Sequence, residues 1–273
     1  MTESSRRSRS LTPFICAALA LGAIAPGAVR AQTPSPVPAR EYVLLGVGIR
    51  SRPAYDGSAS QVATPFPTLR YYGRPWFART TQGILEGGVR RELSPGLAFG
   101  AQVAYEAGRR ATESSLLDAH RVPDIGPWAS VGVHLELDRK FGAMPVNLLG
   151  RVRQFTSLDR GAQADVRLSV GVYGSTRAQA GVFVQAAWAN AKSTRAYYGV
   201  TPQASALTGL PAFAPGGGPL STGAGALGLI QLRPHWSVGW SLEGRHLQGD
   251  AVRSPLTERI SNYYANASLA YRF

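Results

Sequence analysis

The sequence has few of the residues from which metal sites, disulfides and most nucleophilic active sites are built. Its 273 residues include one cysteine and four histidines, and the histidines are scattered along the chain. A single cysteine cannot form a disulfide within the chain, and the lack of clustered cysteine and histidine argues against a metal site. The segment Gly46-Val47-Gly48 lacks the third glycine and the following helix of a dinucleotide site. We therefore expect neither a metal nor an organic cofactor.

The N-terminus predicts an export signal. A segment with three arginines is followed by apolar residues 11–25, a stretch too short for a spanning helix, and then by small residues that place cleavage after Ala31. The three arginines are Arg6, Arg7 and Arg9. The alternatives are a short membrane anchor and a twin-arginine signal, although the residues that should follow an arginine pair are absent. Residues 1–31 are therefore interpreted as a signal peptide.

Residues 32–40 carry three prolines and are expected to form an extended periplasmic lead-in. Cleavage after Ala31 would remove Cys16, four arginines and Glu3, and would lower the net charge from +13 to +10. Outside the cytoplasm, nucleic acid is not an expected partner of such a basic chain. Phosphorylated lipid headgroups, anionic solutes and murein are the expected partners.

A helical pattern is missing from residue 41 onward, where no long window carries apolar residues at i, i+3, i+4 and i+7. Short segments that alternate between apolar and small or polar residues recur instead, which is typical of β-strands. Counting predicts twelve strands, near 41–51, 61–72, 75–81, 83–91, 97–109, 127–138, 145–155, 164–173, 178–190, 220–232, 236–247 and 262–273. Prolines at 65 and 67 make the region 61–91 the weakest part of this prediction.

The polar face of these strands distinguishes a membrane barrel from a soluble sandwich. It carries glycine, serine and charge, as expected for a barrel lumen, whereas the continuous apolar face would contact lipid. The gaps between strands also alternate between tight turns and long segments, at 110–126, 191–219 and 248–261. Short periplasmic turns and longer outer loops are the pattern of outer-membrane barrels. Residues 41–273 are therefore predicted to form an all-β fold, a transmembrane antiparallel up-and-down barrel.

The last strand supports this prediction. Residues 263–273 alternate between an apolar face with aromatic residues at both ends and a face of small and polar residues. This strand, with Tyr271 and the terminal Phe273, looks like the assembly signal that outer-membrane barrels present to the barrel assembly machinery. An edge strand of a soluble sandwich would show the same alternation, so the other strands must decide between the two.

Local motifs add a family resemblance. The segment from Pro53 to Ser58 and the segment from Gly249 to Pro255 are the most specific pieces. Their motif residues are Pro53, Tyr55, Gly57, Ser58, Gly249, Asp250, Ser254 and Pro255. With the terminal phenylalanine, this arrangement over about residues 42–273 resembles the MipA/OmpV family of Gram-negative outer-membrane proteins. We interpret the motif residues as turn formers, since proline fixes φ and glycine permits positive φ.

The resemblance implies a location in the cell outer membrane, contact with outer-membrane lipid including lipopolysaccharide, and no catalytic residue set. One branch of the family resembles a scaffold that joins a murein-degrading transglycosylase to a murein synthase. The leading expectation is therefore a structural or scaffolding barrel that engages murein-synthesis or other envelope partners. The alternative is a narrow, anion-biased, porin-like channel for small solutes, and a lipid-modifying barrel enzyme is the third possibility.

Two sets of lumen residues bear on these alternatives. Strand parity points five arginines inward, opposite inward carboxylates such as Glu86 and Glu106. The arginines are Arg50, Arg70, Arg151, Arg153 and Arg167. They predict either a lumen filled by ion pairs or an anion path. His134 shares an inward face with Ser130, but residues at i and i+4 on a strand lie about 13 Å apart, too far for a serine–histidine hydrogen bond. We therefore predict no catalytic residues.

Overall fold

The computed structural model describes residues 43–81 and 83–273. Within them, twelve antiparallel strands form one closed barrel in which neighbours in sequence are neighbours in space and the first strand pairs with the last. The strands are β1 Val43–Pro53, β2 Gln61–Tyr72, β3 Trp76–Thr81, β4 Ile84–Ser94, β5 Leu97–Glu106, β6 Trp128–Phe141, β7 Met144–Phe155, β8 Ala162–Gly174, β9 Ala178–Ala189, β10 Gly218–Arg233, β11 Trp236–Leu247 and β12 Ser261–Arg272. The predicted twelve-stranded all-β barrel is confirmed. The predicted signal peptide, 1–31, and lead-in, 32–40, lie outside the described residues.

The outer surface of the barrel is apolar because each strand turns its large hydrophobic residues outward. In β1, Val47 is 72% exposed and Ile49 is 66% exposed, while Gly48 between them faces inward. Each square ångström of such surface costs about 25 cal/mol in water, so an exterior of this kind is stable only in hydrocarbon. Within the described residues, no helix is both long and apolar enough to cross a bilayer.

The two ends of the barrel differ in their connections. One end, called the turn end, has tight turns at 73–75, 95–96, 142–143, 175–177 and 234–235. The other end, called the loop end, carries the long connections. Short turns are characteristic of the periplasmic side of outer-membrane barrels, and the turn end has this pattern. Phe273 lies there, and its backbone N–H donates to the carbonyl of Val43 at 3.0 Å.

The prediction of no helix after residue 41 is wrong, because the loops contain three short helices. They are α1 Ser115–Ala119, α2 Ala191–Tyr198 and α3 Pro202–Thr208. Each begins at a side-chain cap: the side chains of Ser114, Asn190 and Thr201 accept from backbone N–H groups three residues later. A search for long apolar stripes cannot detect helices of one or two turns, which depend on caps and packing.

The contact between β2 and β3 is the least complete in the barrel wall. β2 pairs with β1 through eleven residue pairs but with β3 through three, at Arg70, Tyr71 and Tyr72. Beyond them, the N–H of Leu69 and the carbonyl of Pro67 bond instead to the Thr80 hydroxyl, at 3.3 and 2.9 Å. Alternate residues of a strand direct their backbone groups to the same side, so Pro65 and Pro67 lack N–H groups on the side of β3. We call this contact the β2–β3 seam.

Candidate functional site

The loop end is closed by four loops that share a hydrophobic interior. These loops, residues 54–60, 107–127, 190–217 and 248–260, are called the loop cap. Their shared cluster consists of Ala54, Tyr55, Leu117, Val122, Val200, Leu210 and Leu256. Every loop contributes at least one residue to the cluster, so the cap is a packed structure.

The two family motif segments meet inside this cap. The hydroxyl of Tyr55 donates to the carbonyl of Leu256 at 2.6 Å, next to Pro255 in the turn. Ser254 donates to the carbonyl of Tyr198 at 2.7 Å, and its own segment thereby contacts α2. The Asp250 carboxylate accepts from the backbone N–H of Gly216 at 2.7 Å. The sequence contained both motifs but no signal that they contact each other.

The motif residues of the first segment shape the chain as it leaves β1. Pro53 is the last residue of that strand, and both Pro53 and Ser58 are fully buried. Gly57 has φ of 105° and, in the second segment, Gly249 has φ of 57°, which are conformations that favour glycine. The carbonyl of Ser58 accepts from the side-chain amide of Asn262 at 2.8 Å. Both glycines therefore adopt the positive φ that a turn former needs.

Burial keeps the phenols of the cap protonated. It raises the pKa of Tyr55 to about 12 and raises the pKa of Tyr198 well above its ordinary value. Both hydroxyls therefore remain hydrogen-bond donors at neutral pH. Tyr198 donates to the carbonyl of Asp56 at 3.1 Å and so joins α2 to the loop after β1.

A cavity of 260 Å³ lies beneath the loop cap, between the cap and the lumen-facing side chains. It is lined by five buried or half-buried arginines that the barrel and the cap contribute together. They are Arg50, Arg52, Arg109, Arg153 and Arg245. Its lining carboxylates are Asp56, Glu106 and Asp165. Cations therefore outnumber carboxylates on the cavity wall.

Two of these arginines are neutralised by the lining carboxylates. Arg153 pairs with Glu106 and also with Asp165, at 3.3 Å for the latter, and Arg245 pairs with Asp56 at 2.8 Å. Among the described residues, Arg50 and Arg109 have no carboxylate at ion-pair distance. The Arg109 guanidinium donates to the carbonyl of Tyr197 at 2.8 Å, and that of Arg50 lies 5.2 Å from the ring of Tyr264. The cavity therefore holds two cations that could receive an anionic ligand.

Below the cavity, ion pairs fill the side of the lumen formed by β3 to β8. Arg151 contacts Glu86 at 3.1 Å and Asp165 at 2.9 Å. Arg79 contacts Glu86 at 2.5 Å and also pairs with Glu136. All of these side chains are at most 10% exposed. Charges so deeply buried are tolerated only because each is paired.

The five predicted lumen arginines do not form one cluster. Arg151 and Arg153 belong to the ion-pair network, Arg50 lines the cavity, and Arg167 packs its guanidinium 3.6 Å over the ring of Phe183 in β9. Arg70 is exposed near the turn end. Strand parity would also have identified Arg79, Arg90 and Arg245, which lie on inward faces, but our sequence interpretation missed them. Arg109 had no comparable signal, because it lies beyond the end of β5.

His134 and Ser130 lie on the same inward face of β6, but the structure does not bring them together. The Ser130 hydroxyl donates to Glu106 at 3.0 Å. His134 is 1% exposed and contacts the edge of the Phe77 ring at a centroid distance of 5.0 Å. Neither of its ring nitrogens has a hydrogen-bond partner in the described part of the chain. Across residues 43–81 and 83–273, no group of three acidic, histidine or cysteine side chains is placed to hold a metal ion.

Comparison with known proteins identifies one family. The family model described as MltA-interacting protein MipA matches residues 45–273, which includes nearly all of the barrel. No curated protein matches the chain.

Solved structures resemble this chain at low identity. An outer-membrane channel of the COG4313 type from Pseudomonas putida F1 is 11% identical, with 92% of this chain and 100% of that chain covered, at a TM-score of 0.45. LpxR from Salmonella typhimurium is 10% identical, with 85% and 99% covered, at a TM-score of 0.39. The translocator domain of the autotransporter NalP from Neisseria meningitidis is 10% identical, with 86% and 89% covered, at a TM-score of 0.45. At these scores the likenesses support no inference about function.

Proposed function

Because the chain belongs to the MipA family of MltA-interacting proteins, we propose that this outer-membrane barrel is a non-catalytic scaffold whose periplasmic end docks murein-acting enzymes. The observation that carries the proposal is the charge of the turn end. A set of eight exposed cations, called the basic rim, surrounds that end: Arg70, Arg74, Arg91, Arg139, Lys140, Arg177, Arg233 and Arg272. The side-chain carboxylates at the same end are Glu92 and Asp138.

The opposite end lacks this imbalance. The loop cap contains seven lysines and arginines against six aspartates and glutamates, and within it Arg253 pairs with Asp250. An uneven distribution of this kind steers acidic partners to one end of a molecule and raises their association rate. The basic rim therefore suits the acidic surface of a periplasmic partner, such as a murein transglycosylase or synthase.

The ion pairs that fill one side of the lumen support a scaffold more than an open channel. Arg151 and Arg153, which would have to attract a permeating anion, are both held by carboxylates. The network joins strands that lie three positions apart in the barrel wall, as in the contact of Arg151 with Glu86. A narrow anion-biased channel is the second candidate, favoured by the two cavity arginines that have no carboxylate at ion-pair distance. For this candidate, neutralising Arg151 and Arg153 would shift the ion selectivity of single-channel currents.

The scaffold is tested by binding an MltA-type transglycosylase from the same organism to the refolded barrel. The rim variant carries Arg74→Gln, Arg177→Gln and Arg233→Gln, three exposed residues in or next to the turns of that end. The matched control carries Arg110→Gln, Arg121→Gln and Arg259→Gln, three exposed arginines of the loop cap. We expect the rim variant to bind roughly tenfold more weakly, mainly through slower association, with a loss that shrinks as salt rises.

The control should bind like the unmodified barrel, because it changes the net charge equally but at the other end. An equal loss in both variants would show that only net charge matters. Absence of binding by the unmodified barrel, shown to be folded by its heat-modifiable gel mobility, would refute docking at this end.

A further inference from the structure

The cavity beneath the loop cap reaches the barrel wall at the β3–β4 hairpin. Its lining includes Gly83 and Ile84, where the β3–β4 hairpin turns, and also Tyr105 in the next strand. Tyr105 belongs to the outward face of β5 and is 54% exposed, so the cavity approaches the outside of the barrel here. A Cβ built on Gly83 would lie 2.6 Å from Cζ of Arg50, which places the Arg50 guanidinium directly behind the hairpin.

The wall is incomplete at this place because its strands have unequal lengths. β3 ends at Thr81, whereas β2 continues past its paired residues, 70–72, as far as Gln61. In the described part of the chain, residues 61–66 of β2 have no strand partner on the side of β3. Pro65 also lacks the backbone N–H with which it could pair with a strand there. We call the gap above the β3–β4 hairpin, between β2 and β5, the side opening.

The side opening lies at the upper edge of the apolar band. In the register of β1 and β2, Ile49 is opposite Pro65, and Ile49 is one of the exposed apolar residues. Two residues farther along, Ser51 is opposite Ala63, and exposed Gln61 follows at the end of β2. A change from apolar to polar outward residues marks the level of lipid headgroups. The side opening therefore faces the headgroup layer of the outer leaflet.

The charges behind the opening suit a phosphate group. The Nε of Arg50 and the Nε of Arg109 are both buried without a hydrogen-bond partner in the described residues. Buried donors that lack acceptors are costly, and a guanidinium matches the geometry of two phosphate oxygens. The neighbouring Arg52 is already engaged with Glu113 at 2.9 Å. The Nε of Arg153 also lacks a partner, but its guanidinium already pairs with Glu106 and Asp165. Arg50 and Arg109 are thus the lining cations that combine an unsatisfied buried donor with no carboxylate at ion-pair distance among the described residues.

We propose that the cavity receives the phosphate headgroup of an outer-leaflet lipid through the side opening. Arg50 binds two phosphate oxygens, and Arg109 supplies the second positive charge from the cap. A free phosphate would offer the same oxygens, but it would have to arrive from water, and the packed loop cap covers the aqueous mouth. The lipid source is favoured because the opening lies at headgroup level. This site is independent of the proposed scaffold, which uses the opposite end of the barrel.

The test measures ligand retention on the barrel, purified in neutral detergent, by native mass spectrometry. Three probes are compared: phosphatidic acid, diacylglycerol with the same acyl chains, and inorganic phosphate. We expect phosphatidic acid to bind at least tenfold more tightly than diacylglycerol and to resist displacement by inorganic phosphate. Arg50→Gln should weaken phosphatidic acid binding roughly tenfold or more, because it removes a charge-assisted pair of hydrogen bonds.

Arg70→Gln is the matched control, since Arg70 lies on the same face of the neighbouring strand but near the turn end. It should leave binding unchanged. Arg50→Lys keeps the charge but loses the paired geometry, and it should weaken binding several-fold even if Arg50→Gln does not fold.

Equal binding of phosphatidic acid and diacylglycerol by the unmodified barrel would overturn the proposal, whatever the variants do. Inorganic phosphate that binds as tightly as the lipid would overturn the lipid source. Losses of equal size in Arg50→Gln and Arg70→Gln would overturn the assignment to the cavity.

Discussion

The strand contacts on the two sides of the β1–β2 pair, namely β1 with β12 and β2 with β3, hold the barrel together in different ways. The closure between β1 and β12 has eight residue pairs in continuous register. Its backbones approach closely, because a Cβ built on Gly46 would lie 2.6 Å from the Cα of Ala270. The β2–β3 seam has three pairs. The difference shows that a closed barrel does not need a complete hydrogen-bond ladder at every contact.

Lumen side chains replace part of the missing ladder at the β2–β3 seam. Arg79 of β3 donates to the hydroxyl of Tyr72 in β2 at 3.2 Å. The same guanidinium also forms ion pairs with Glu86 of β4 and Glu136 of β6, so these pairs connect β3 to both strands. The closure depends on backbone contact, whereas the seam depends on buried charge.

The largest effect is expected at the closure. Gly46→Val should prevent the barrel from closing, because the new side chain meets the backbone of β12 and the strand cannot move away without losing its ladder. Gly150→Val is the matched control, since a Cβ at Gly150 meets nothing within 4 Å. Heat-modifiable gel mobility should be lost in the first variant and kept in the second. A folded Gly46→Val barrel would mean that the close approach is not needed for closure.

At the β2–β3 seam, the expected effect is smaller and local. Arg79→Gln leaves Glu86 and Glu136 with less compensation and should lower the free energy of unfolding by about 3–5 kcal/mol. Arg153→Gln, in the same network but with no contact to β2, should also lower it. Hydrogen exchange separates them, because only Arg79→Gln should raise exchange selectively in β3. Equal exchange in β3 for both variants would contradict a special role of Arg79 at the seam.

The smallest effect concerns the loop cap and its residue Tyr55. Within the cap, immediately before β2, the Ser60 hydroxyl accepts from the backbone N–H of Ser115 in α1 at 3.2 Å. Burial raises the pKa of Tyr55 to about 12 from 10.0, so its contribution is complete below pH 10 and is lost as the pH rises towards 12. Protease cleavage within the cap should therefore increase over that range.

Tyr55→Phe loses the bond to Leu256 and should weaken the cap by about 1 kcal/mol at neutral pH. In this variant, protease cleavage of the cap should increase less between pH 10 and pH 12. The increase that remains should come from ionisation of Tyr198. Tyr263→Phe, which changes an exposed side chain of β12, should behave like the unmodified protein. An alkaline transition of unchanged depth in Tyr55→Phe would assign it to other groups.

Much of the wall could be predicted from the sequence, because alternation along a strand is a local property. It gave the number of strands and the inward direction of Arg151 and Arg153. The β2–β3 seam was only partly predictable. Pro65 and Pro67 marked β2 as weak, but β2 is a full strand, and what fails is its pairing with β3, which also depends on where β3 ends.

The cavity could not be predicted, since it depends on contacts between distant loops. Tyr55 and Leu256 lie 201 residues apart in sequence. They meet because β1 ends and β12 begins side by side at the loop end. The sequence had marked Tyr55 as a turn residue, and its partner is a backbone carbonyl, which any residue type would provide. The contact of Arg50 with Gly83 likewise follows from the length of the β3–β4 hairpin. Such contacts leave no periodic signal in either segment.

The loop cap has a consequence for recognition of the cell surface. Because residues from four loops share one interior, the outer face of the cap is assembled from segments that are far apart in sequence. An antibody raised against the folded protein would therefore recognise a conformational epitope. Peptides copied from single loops would not compete for it, and boiling the antigen would abolish its detection.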